Sequence, residues 1–65
     1  MTKKEAILAA RLAGAQIRDA GRYITDGDRD LMKSEAWIAA QKRLGYQHAL
    51  AAAKAGWTER HKGLI

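Results

Sequence analysis

Small apolar residues recur at helical spacing through the first third of this chain, and that pattern constrains the fold more than any other feature. Ile7, Ala10, Gly14, Ile17, Gly21 and Ile24 follow one another at alternating steps of three and four, with Ala6, Ala13 and Ala20 alongside. At about 100° per residue these positions line one face of an α-helix. Gly and Ala let a neighbouring backbone come close, and Ile fills the space between. The face therefore predicts a tightly packed helix–helix interface.

Composition agrees with an all-α fold. The 65 residues include no Pro, no Cys and no Phe, and Val is absent as well. Strand formers are scarce, while Ala, the best helix former, is abundant. Hydrophobic residues make up 48% of the chain, too many for a disordered segment. The length allows one domain, residues 1–65. A domain of this size buries only about 60% of its unfolded surface. Without disulfides or metal, self-association is the remaining way to stabilise it.

Thr2 and Glu5 form a capping box, which starts a helix at Lys3. With no turn signal before Thr25-Asp26-Gly27-Asp28, that helix is expected to run over residues 3–24. A turn over residues 25–28 follows, with Asp28 placed to cap a second helix over residues 29–55. Gly56 then reads as a stop, with Trp57 folding back and residues 57–65 as a short tail. The expected architecture is an antiparallel αα-hairpin of two long helices, homodimerising into a four-helix bundle. The alternative is a compact three-helix domain broken at Gly45.

The dimer expectation comes from the second helix. Met32, Ala36, Ala39, Tyr46, Leu50, Ala53 and Trp57 share one line; Trp37, Leu44 and Ala51 share another; Leu31 and Ile38 share a third. A helix apolar on several faces needs cover on several faces, which one hairpin does not supply. Leu8 and Leu12, one turn apart on the first helix, suggest a further contact surface. Trp, Tyr and Arg are the usual hot-spot residues of interfaces. Trp37, Leu44, Tyr46 and Trp57 are accordingly the candidate partner-binding residues, Trp37 foremost.

Charge adds a second theme. Twelve Lys and Arg against seven Asp and Glu give a net charge of +5. Lys4, Arg11, Arg18 and Arg22 fall together on the first helix as a basic stripe with no acidic residue of that helix in it. Such a stripe suits an acidic protein surface, or the phosphates of nucleic acid.

Signs of chemistry are weak. His48 and His61 lack partners at ligand spacing, so no metal site is expected. Ser34 has no base beside it. Asp26, Asp28 and Asp30 imitate a calcium loop, but the terminal glutamate position holds Trp37. A helix-turn-helix over Trp37–Ala55 would read DNA with Gln47, His48 and Lys54 alone, a poor set for base contacts. Neither an enzyme nor a cofactor is expected. Lys3 and Lys4 before Ala6–Ala10 imitate a secretory leader, but Glu5 and Arg11 interrupt it, so a cytoplasmic location is expected. The reading that results is a small regulatory or inhibitory protein acting through apolar and aromatic helix faces on a protein partner, a style common among phage and mobile-element accessory proteins. A basic nucleic-acid-binding protein with mainly phosphate contacts is the alternative. A binder of a small anionic ligand such as a nucleotide comes third.

Overall fold

The computed structural model describes residues 2–24 and 31–63. The described residues form three α-helices: α1 (Lys3–Asp19), α2 (Glu35–Leu44) and α3 (Tyr46–His61), with a 3-10 turn at Leu31–Lys33 before α2. The expected turn over residues 25–28 lies outside the described residues, as does the Asp28 cap.

The start of α1 follows the sequence. The Glu5 amide donates to the Thr2 hydroxyl at 3.1 Å, and the Thr2 amide donates to the Glu5 carboxylate at 2.9 Å. Its end does not, because the helix stops at Asp19 rather than at residue 24. Gly21 adopts φ +75°, a left-handed conformation that glycine takes without steric cost. The Gly21 amide then donates to the Arg18 carbonyl and the Arg22 amide to the Ile17 carbonyl, a Schellman closure. Gly21 thus terminates the helix instead of extending its packing face.

The single helix expected over residues 29–55 is two helices. Ser34 caps α2 by accepting from the Trp37 amide at 3.2 Å. Gly45 closes α2, its amide donating to the Gln41 carbonyl at 2.8 Å, and opens α3, its carbonyl accepting from the Ala49 amide at 3.0 Å. Its φ of +89° and ψ of 155° lie in a region essentially reserved for glycine. One residue therefore reverses the chain without a Pro, Asn or Asp nearby.

The reversal gives an up–down–up order. Near the start of α1, Lys3 and Ile7 share a groove with Arg43 and Leu44 at the end of α2 and with His48 and Ala52 early in α3. At the other end, Arg18 and Asp19 meet His61 and Arg60. Helices α1 and α3 run the same way, with α2 opposed. The radius of gyration is 10.3 Å, about what a globular chain of this length needs.

The core is built mostly from alanine. Ala6, Ala10, Ala13 and Ile17 of α1 pack with Ala40 of α2 and Ala49 and Ala53 of α3. Trp37 and Leu31 are the largest fully buried side chains. So little side chain fills a core only if the helices approach closely, and two glycines allow it. A Cβ on Gly14 would sit 1.8 Å from the Ala53 carbonyl oxygen, and one on Gly56 would sit 2.0 Å from the Arg11 carbonyl oxygen. The two backbones therefore touch at a reciprocal pair of points, a geometry suited to Cα–H···O contacts. This also corrects the reading of Gly56. It is an interior residue of α3 that makes room for Arg11, and the helix continues past it to His61 instead of leaving a tail from residue 57.

Candidate binding surfaces

Large apolar residues are distributed unexpectedly. Alanines fill the interior, while Leu8 and Leu12 on the outer face of α1 are 54% and 55% exposed. They stand one turn apart, which aligns them on one ridge. Ile7, Met32 and Tyr46 are exposed as well.

The four aromatic and aliphatic residues assigned to partner binding separate into different roles. Trp37 is 0% exposed and lies at the centre of the core, so it presents no surface to a partner. Its indole Nε1 has no hydrogen-bond partner among the described residues. The lines of apolar residues along 29–55 assume a single helical phase through Gly45, whereas the reversal there turns both α2 and α3 onto α1. Tyr46 packs edge-on against Trp37 with ring centroids 6.4 Å apart. Leu44 is half-buried and lines the groove with Ile7, Lys3, Arg43, His48 and Ala52, a volume of 490 Å³.

Trp57 lies elsewhere, at the end of the bundle where α1 and α3 finish. It does not fold back on its own helix. Its Nε1 donates to the Arg22 carbonyl at 2.7 Å, pinning the segment after α1 against α3. Tyr23 stacks on Trp57 at 5.1 Å and 26°, and His61 stacks on Trp57 at 5.0 Å and 16°. The Arg18 guanidinium carbon is 5.9 Å from the Trp57 ring centroid, within cation–π range. Sequence reading left Tyr23 and His61 out. The i, i+4 spacing of Trp57 and His61 was a usable signal for their pairing. No periodic signal could have brought Tyr23 there, because the Gly21 reversal places it.

The basic stripe is partly neutralised. Arg11 forms an ion pair with Glu59 of α3. Arg18 Nε donates to His61 Nδ1 at 2.9 Å. Glu59 lies on α3, so the pattern of the first helix alone contains no acid beside the stripe. Lys4 is exposed, and the Arg22 carbonyl is held by Trp57. Beside the stripe, Arg60 grips Asp19 through two hydrogen bonds of 2.8 Å each. That contact holds the Asp19 carboxyl below its ordinary range, against the opposing pull of desolvation, and raises Arg60. Glu5 is lowered by the backbone and side-chain hydrogen bonds of Thr2.

Other chemistry stays sparse. Among the described residues no group of three or more His, Cys, Asp or Glu gathers to hold a metal ion. Ser34 Oγ serves the α2 cap. The Asp26, Asp28 and Asp30 cluster lies outside the described residues. The one-residue joint at Gly45 is shorter than the three- to four-residue turn of a helix-turn-helix. Among the described residues no helix is long and apolar enough to cross a membrane. No family model matches the chain, and no curated protein or solved structure does either.

Proposed function

We propose that this chain is a small non-catalytic binding module of regulatory or inhibitory type, which engages a protein partner through the outer face of α1. The observation that carries the reading is that Leu8 and Leu12 are more than half exposed on a chain whose core is mostly alanine around Trp37 and Leu31. A helix that presents leucines at i and i+4 fits an apolar groove on another helix or protein. Moving bulk to the surface lowers the stability of the free chain and raises what is gained on docking. Lys4 and the other cations of α1 would speed encounter with an acidic partner.

Homodimerisation is the simplest form of this binding, two α1 ridges packing about a two-fold axis. Its rationale differs from the one the sequence suggested. Trp37, Leu31, Ile38 and Leu44 already pack within the chain, so the uncovered surface is on α1 rather than on α2. The phosphate-track reading has less support, since Arg11 and Arg18 already have intrachain partners.

The test is a double variant, Leu8→Glu with Leu12→Glu, compared with the parent by circular dichroism, light scattering and affinity capture from the native host. Helicity should be retained, because both side chains are exposed, while any stability contributed by self-association is lost with it. Self-association and specific capture should both be lost. A double variant that associates and captures the same proteins as the parent would refute the assignment.

A further inference from the structure

We propose that the far end of the bundle, around Tyr23 and Trp57, is a stacking site for an unpaired base of single-stranded nucleic acid. Tyr23 is 74% exposed, yet it is held in place. One ring face rests on Trp57, and the neighbouring Arg22 carbonyl is fixed by the Trp57 indole. Gly21 sets the chain direction just before it. An exposed aromatic ring positioned in advance costs little entropy when a ligand stacks on it.

Beside the rings lies a groove of 210 Å³ lined by Tyr23, Ile24, Lys54, Trp57 and Thr58. It is smaller than the roughly 300–1,000 Å³ typical of drug-sized ligands, so it suits a single ring system. Lys54 at its edge supplies a cation, and Thr58 supplies a hydroxyl. Arg18 stands 5.9 Å from the Trp57 ring centroid with its Nε on His61, and Lys62 follows His61 in the chain. The described carboxylates at this end, Asp19 and Glu59, are each engaged by an arginine. Planar rings bordered by cations match a base with its phosphate, the combination that single-strand binders use. A sugar or an aromatic peptide side chain would stack equally well but leave Lys54 unused. A duplex keeps its base faces covered, so the same rings gain little from it.

The test uses the full chain, with anisotropy titrations of labelled oligo-dT, oligo-U and a duplex of equal length at low and moderate salt. Single strands should bind more tightly than the duplex, and the dT and U arms show whether the sugar matters. Tyr23→Ala should weaken single-strand binding by roughly tenfold, from the loss of one base stack. Tyr23→Phe should bind like the parent, since the π-face is kept. Lys54→Ala should reduce the salt slope by about one. Absence of binding at low salt, equal affinity for duplex and single strand, or a Tyr23→Ala variant that binds as the parent does would each overturn the proposal.

Discussion

Replacing Gly14 with Ala tests the central feature of the packing, because two well-understood effects oppose each other there. In an isolated helix the change is favourable by about 1 kcal/mol, since Ala is the better helix former. In this fold the new methyl would lie 1.8 Å from the Ala53 carbonyl oxygen and 2.6 Å from its carbon, whereas ordinary contact begins near 3.4 Å. The obstructing atoms are backbone, so no side chain can rotate away. Relief requires α3 to retreat, and a gap of even about 1 Å forfeits up to half of the dispersion attraction along the seam. Overpacking of this kind costs about 1–3 kcal/mol, with rigid neighbours at the upper end. The net expectation is a loss of about 2 kcal/mol from a total near 3–10 kcal/mol for a chain this long. At 4–8 °C per kcal/mol, the melting temperature should fall by roughly 10 °C. Thermal and urea unfolding followed by circular dichroism would measure it. Gly56→Ala should behave alike, since its methyl would meet the Arg11 carbonyl at 2.0 Å. Ala51→Gly, at an exposed position of α3, calibrates the propensity term alone. If Gly14→Ala or Gly56→Ala raised the melting temperature, the backbone contact between α1 and α3 would be wrong.

Two further outcomes follow from the helix ends. Gly45→Ala should destabilise the fold by about 1–3 kcal/mol through backbone strain, whereas D-Ala introduced at the same position by chemical synthesis should be tolerated. The positive φ suits a D-residue, and the L-methyl of Gly45→Ala meets nothing within 4 Å, so its cost is one of backbone conformation alone; equal unfolding midpoints for the two variants would exclude a conformational role. The Asp19–Arg60 contact predicts an acid-side effect. Asp19 has a lowered folded pKa, so its contribution is complete above the ordinary carboxylate range and is lost as pH falls below that range through the folded value. Asp19→Asn should therefore melt slightly lower than the parent at neutral pH, with the gap closing as the solution is acidified below the ordinary carboxylate range. The gap is small because exposed ion pairs contribute little, and a gap unchanged across that range would show that the carboxylate is not the cause.

Much of α1 was legible because its signals are local. A capping box needs only residues three apart, and the alternation of Ile with Ala and Gly is a property of one helix in isolation. Helicity throughout follows in the same way from abundant Ala and missing Pro and Val. The binding surfaces were harder. Leu8 and Leu12 stood out because they lie opposite the packing face of their own helix. Trp37 was misplaced because its environment depends on α1 and α3 rather than on its own neighbours. The Tyr23, Trp57 and His61 stack joins residues from two separate parts of the chain.

By itself the sequence determined helical character, the first cap and the small-residue face that permits close approach. Only the tertiary structure decided which glycines reverse the chain and which let backbones touch. Gly45 and Gly56 are both flanked by helix-forming residues, and nothing local distinguishes them. Gly45 has open space around it and turns the chain, so that Trp37 and Ala40 on one side and Ala49 and Ala53 on the other can both reach α1. Gly56 stays helical because the Arg11 carbonyl occupies the place of its missing side chain. The free energy that separates these outcomes comes from burial against α1, through contacts between residues far apart in the chain, and no short window of sequence contains it.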